Sequence, residues 1–223
     1  MRQLIIVVGV LLLSSVASAQ QRAITPKNWV ISADAAFKWV EQVATPILLK
    51  HADDPKELPA VKNRIAKLRQ MLEAKQLEYL AEPFFYHGSK TSLGHTDYDR
   101  TARRPVLMIF VPAWQAYQKT VAPGVFENEI VLAYAHEMIH VEHMVSGEFP
   151  STFGKPWGID GMREEAAAWG QTILEIIRPW NQQGRALEPS LMKLSEQLAE
   201  VKDDYKDARW VLTFSNYETR LGQ

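Results

Sequence analysis

Ala133-Tyr134-Ala135-His136-Glu137-Met138-Ile139-His140-Val141-Glu142-His143 carries the pattern H-E-x-x-H, two imidazoles four residues apart with a carboxylate beside the first. On an α-helix, residues i and i+4 lie one above the other on one face, so His136 and His140 are placed to share one ion. Glu137 is rotated by about 100° from His136, beside such an ion rather than on it. From there it can act as a general base toward a water on the metal, the arrangement of a zinc hydrolase. The stretch reads as helix. Ile130, Val131, Leu132, Ala135, Met138 and Ile139 recur at helical spacing, and no Gly or Pro interrupts 125–146. Such a helix is buried, with both histidines on one flank.

Working outward, 147–161 is a loop with four glycines (Gly147, Gly154, Gly158, Gly161) and Pro150 and Pro156; a loop this long inside a domain is often functional. A second helix is expected from Met162 to about Trp180, and another from Pro189 to about Arg209. On the N-terminal side, Pro105-Val106-Leu107-Met108-Ile109-Phe110-Val111-Pro112 is the best strand in the chain, nearly continuous in apolar residues and bounded by prolines. Phe84-Phe85-Tyr86-His87 is a second, shorter strand candidate, and a polar loop is expected from there to Arg104. Two helical runs, from Ser32 to Ile47 and from Lys56 to Leu80, are separated by His51-Ala52-Asp53-Asp54-Pro55 and read as an antiparallel pair.

Residues 1–19 form an expected signal peptide: Arg2, the apolar run Leu4 to Leu13, then Ala17-Ser18-Ala19 as the cleavage signal. The remainder suits one domain, 20–223, made of an N-terminal helical pair (33–80), a catalytic core (84–180) and a C-terminal helical region (189–223). The chain has 25 basic and 26 acidic side chains, a net charge of −1, with neither sign gathered into long runs. That argues against nucleic acid as a partner and against a polybasic membrane contact. With signal cleavage no stable membrane anchor remains. The chain has no Cys, so an exported form has no disulfides and its metal ligands are restricted to imidazole and carboxylate.

Two histidines make an incomplete site; a catalytic ion normally has three protein ligands and an open position. His143 lies about 10.5 Å from His136 along a straight helix, too far for one ion to take all three histidines. It reads as a supporting group, a substrate-side group or an exposed residue. A carboxylate on the next helix is offered by Arg163-Glu164-Glu165-Ala166-Ala167-Ala168-Trp169-Gly170. Together with H-E-x-x-H, this run resembles the gluzincin branch of zinc metallopeptidases, over about Phe126 to Trp180. In that branch a Glu on a second helix, beside small residues, supplies the third ligand. Here Glu165 stands 25 residues after His140, next to Ala166 to Ala168. Glu142 departs from the branch, which generally has an apolar or small residue there.

Between the two glutamates, helical rotation favours Glu165. It falls on the flank of the face carrying Ala166, Trp169, Ile173 and Ile177, whereas Glu164 points nearly opposite and would take the N3 place of a cap at Gly161. Glu164 stays the alternative. The resemblance implies an α+β, mainly helical, zincin-like fold in which the H-E-x-x-H helix packs on a small sheet and beside a Glu-bearing helix. It implies Zn²⁺ on His136, His140 and Glu165, Glu137 as base, and a peptide or protein substrate, paired by its backbone to the strand at 106–111. Tyr134, His143, Tyr86, His87, His95, Tyr205 and Tyr217 are all open as oxyanion donors. A metal-binding protein without catalysis and a helical interaction protein of the cell envelope are the competing readings. Periplasm versus extracellular space, and the oligomeric state, are not encoded in these features.

Overall fold

The computed structural model describes residues 33–73, 78–80, 94–99, 104–109, 111–149 and 159–197. The expected signal peptide, the aromatic run at 84–87, most of the glycine-rich loop and the C-terminal 198–223 lie outside them. In chain order the helices are α1 (Ala33–Trp39), α2 (Thr45–Asp53), α3 (Pro59–Glu73), α4 (Val111–Gln118), α5 (Pro123–Ser146), α6 (Ile159–Thr172), α7 (Arg178–Gln182) and α8 (Pro189–Gln197). A π-helical turn, Val40–Ala44, joins α1 to α2, and another, Ile173–Ile177, joins α6 to α7. Three short strands, β1 (Glu78–Leu80), β2 (Gly94–Asp99) and β3 (Arg104–Ile109), pair in the order β1–β3–β2.

The expectation of an α+β fold built on a sheet is corrected. Over the residues whose side chains are described, 79% are helical and 5% are in strand, which is a mainly α fold. The physical reason lies in who fills the core. Among the described strand side chains only Leu107 and Ile109 belong to the hydrophobic core, while the helices and the two π-helical turns supply almost all the other described core residues. The strand run also stops short: Val111 and Pro112 already belong to α4, with proline in the first helical turn, where its missing N–H costs nothing. What strand remains is a ribbon of three, six and six residues lying against α5, not a layer that carries the fold.

α5 is the hub. It packs most extensively against α6, and also against α2, α3, α4, β2 and β3. Being covered from several sides, it is apolar around most of its circumference, and 16 of its 24 residues are buried. Pro123 starts it at N1, and Gly147 ends it with φ of 70°, the left-handed conformation that glycine adopts without strain. The loop between α2 and α3 is tied down by buried Glu57. Its carboxylate accepts from Trp180 Nε1 at 2.7 Å and pairs with His51 at 2.5 Å and Arg185 at 3.2 Å. This network fastens α7 to the N-terminal helices. No described helix is long and apolar enough to cross a membrane.

Candidate metal centre between α5 and α6

α5 carries His136, Glu137, His140 and His143, and α6 carries Glu164 and Glu165; all six are buried. The structure brings three of the expected residues together. His136 Nε2 lies 3.2 Å from His140 Nε2, and Glu165 places Oε2 at 3.4 Å from His140 Nε2 and Oε1 at 3.7 Å from His136 Nε2. Ligands held ~2.0–2.1 Å from a tetrahedral ion stand about 3.3–3.4 Å apart. The observed 3.2, 3.4 and 3.7 Å lie near that spacing, with a different Glu165 oxygen toward each histidine.

The tautomers follow from the surrounding hydrogen bonds. Thr172 Oγ1 donates its one hydrogen to Ala168 O at 2.8 Å, so toward His136 Nδ1, 2.9 Å away, it must accept. His136 therefore carries its hydrogen on Nδ1. Among the described residues His140 Nδ1 faces only the Glu164 carboxylate, at 2.8 and 2.9 Å, and is likewise the donor. Both Nε2 atoms thus point lone pairs at one another and at Glu165. Three acceptors converging in a buried space require a cation between them, a proton or a metal ion. Glu165 is held by Trp169, whose Nε1 donates to Oε1 at 2.9 Å and whose rings lie 4.4 Å from the His136 ring.

Without an ion, the charges arrange themselves around one proton. Burial lowers His140, but the Glu164 and Glu165 carboxylates outweigh it and raise it to about 10. Burial, with the charge on His140 adding to it, lowers His136 to about 3. Burial also raises Glu137, against the pull of the nearby histidines and the hydrogen bond from Thr96. A metal ion would replace the His140 proton and reverse the local balance.

Glu164 corrects the expectation that it points nearly opposite the buried side. α6 starts at Ile159, so Gly161 lies inside the helix and Glu164 is no N3 capping residue. Its carboxylate instead turns to α5, accepting from His140 Nδ1 and, at 2.7 Å, from His143 Nδ1. Burial works to raise Glu164, and the His140 charge with both imidazole hydrogen bonds holds it down at about 2. His143 is thus linked to the centre through Glu164 and stands apart from the His136–His140–Glu165 trio. Glu142 faces away, toward α3, where Arg64 Nη2 lies 3.2 Å and Lys67 Nζ 3.6 Å from its carboxylate.

Glu137 is met by a residue that the sequence did not single out. Thr96 Oγ1, on β2, lies 2.7 Å from Glu137 Oε2 and 3.2 Å from the Glu137 carbonyl. The stretch 94–99 is polar without alternation and reads as loop; its strand character comes from backbone pairing to β3, with Thr96 opposite Leu107. Thr172 was equally unmarked, although it sits two helical turns beyond Glu165 on the same face. The strand proposed for backbone pairing to substrate, 106–111, is corrected too: β3 is the middle strand, flanked on both sides, and β2 is at an edge. Of the oxyanion candidates, Tyr134 is buried in α5. Tyr86, His87, Tyr205 and Tyr217 lie outside the described residues, and His95 is described only in its backbone.

No protein-family model, no curated protein and no solved structure matches this chain. The class of site therefore rests on its geometry: a buried His–His–Glu centre on two packed helices, with a further carboxylate beside it.

Proposed function

We propose that this chain is an exported zinc-dependent metallopeptidase, with His136, His140 and Glu165 holding the ion. The carrying observation is the convergence of His136, His140 and Glu165 with nitrogen and oxygen atoms 3.2 to 3.7 Å apart, and with the tautomers of both histidines set by Thr172 and Glu164. Zinc, when bound, supplies a Lewis acid and lowers the pKa of a coordinated water toward ~7. Glu137 is the proton carrier. Burial raises its pKa, so it takes a proton from the attacking water and returns it to the leaving amine of a peptide. Thr96 fixes which carboxylate oxygen does so, since its hydroxyl occupies Oε2. Residues 1–19 direct export, and the even charge of the chain fits a peptide or protein substrate rather than nucleic acid.

A second reading is favoured by one observation: His136, Glu137 and Glu165 are no more than 4% exposed, and His140 is 7% exposed. A centre so enclosed suits a protein that holds metal without turning anything over. Glu137→Gln separates the two. In the peptidase it keeps its zinc and loses about 10²- to 10⁴-fold in peptide hydrolysis. If peptide turnover is unchanged in the zinc-loaded Gln variant, the catalytic role fails and the metal-holding one stands.

A further inference from the structure

Two clusters in this site have the composition of a cation site, His136–His140–Glu165 and His140–His143–Glu164. Their spacings separate them. Nitrogen and oxygen atoms stand 3.2, 3.4 and 3.7 Å apart in the first. In the second the contacts are 2.8 and 2.7 Å, the range of charge-assisted N–H···O hydrogen bonds at ~2.7–2.9 Å. The second cluster is a clamp rather than a second ion site.

We infer that His143 is a positioning residue of the metal centre, acting two hydrogen bonds away through Glu164. This inference rests on the metal-binding reading above. Glu164 Oε1 accepts from His140 Nδ1 and His143 Nδ1 together, while Oε2 reaches His140 alone at 2.9 Å. The orientation of His140, and with it the aim of Nε2 at the ion, is set by the plane of this carboxylate. His143 fixes that plane. It comes from the last turns of α5, one turn beyond His140, and the Phe149 ring packs 5.0 Å from it. The residue after α5, Gly147, takes the left-handed conformation that ends the helix. His143 is buried, and its Nε2 has no hydrogen-bond partner among the described residues. Its one described polar contact through the ring is the bond to Glu164. A buried imidazole maintained for a single bond to the carboxylate that orients a ligand has a role in holding that ligand.

The test is zinc affinity, measured by chelator competition at fixed pH on the wild type, His143→Ala, His143→Asn, Glu164→Gln and the His143→Ala/Glu164→Gln pair. Loss of an outer partner of a ligating histidine weakens metal binding about 10- to 100-fold, and His143→Ala should do so. His143→Asn, which keeps a donor near the Nδ1 position, should stay within about threefold of the wild type by the same measure. The double variant should bind no more weakly than Glu164→Gln alone, because His143 acts through Glu164. Should the alanine variant not fold, His143→Leu replaces it against His143→Asn. Wild-type affinity in His143→Ala, or additive losses in the double variant, would overturn the inference and leave the metal centre intact. A wild type that takes up no zinc would overturn both.

Discussion

Glu164 and Glu165 are adjacent on α6 and both buried, yet they face different atoms of the same histidine. Glu165 meets His140 at Nε2 and Glu164 meets it at Nδ1. One imidazole is thereby gripped from both sides, and His136 is gripped the same way by Glu165 and Thr172. Nearer the start of α5, Glu129 shows what burial does to a carboxyl without such cationic company. It is 1% exposed, and its described hydrogen bond is from the Glu188 N–H, at 3.2 Å. Burial raises it to about 8, the Glu188 N–H opposing and the Glu188 charge adding. The folded protein thus keeps a proton that the unfolded chain releases near pH 4.5. Between that value and about 8, stability should fall as pH rises, by up to about 1.4 kcal/mol per pH unit. Glu129→Gln removes this contribution. Denaturant midpoints of the two proteins should converge near pH 5 and separate toward pH 8, with the Gln variant the more stable; parallel profiles would count against a buried, protonated Glu129.

At the scale of elements, the centre depends on how closely α5 and α6 approach. Glu165, Ala168 and Thr172 share one face of α6 at helical spacing. The outer two touch the His136 ring nitrogens, and Ala168 between them is fully buried. Ala168→Leu should therefore cost about 1–3 kcal/mol through overpacking, and it should weaken zinc binding by separating Glu165 from the histidines. Thermal unfolding and chelator competition on the same variant check the two effects; a stable variant with unaltered affinity would show that the small face is not needed for the approach. Some helix ends were legible from punctuation, but the run expected to stay helical to Leu80 is corrected: α3 ends at Glu73 and Glu78–Leu80 is β1, and no Gly or Pro between them marks the change. An uninterrupted 125–146 became α5 at Pro123–Ser146, and Asp53 closes α2 just before Asp54-Pro55. The two π-helical turns were not, because a one-residue widening leaves the apolar periodicity almost unchanged.

Across the whole molecule, the His136–Glu137–His140 constellation was legible because helical spacing alone places its side chains. The partner Glu165 came from a helical-wheel argument that misplaced its neighbour Glu164: Glu164 to Trp169 are all buried, so the covered part of α6 is wider than one apolar stripe, and a single stripe then misleads. Thr96 was illegible, since a polar segment gives no periodic signal and finds its place only through backbone bonds to β3. The α+β expectation overweighted one apolar strand in a chain whose core is built by helices. The central claim, that α5 and α6 hold one ion, is tested most directly by elemental analysis. Wild type, His140→Ala, Glu165→Ala and Glu164→Ala would be purified identically and supplied with zinc. The account predicts one zinc per chain in the wild type, loss in His140→Ala and Glu165→Ala, and retention in Glu164→Ala at saturating zinc. No metal in any of the four, or loss with Glu164 but not with Glu165, would contradict it.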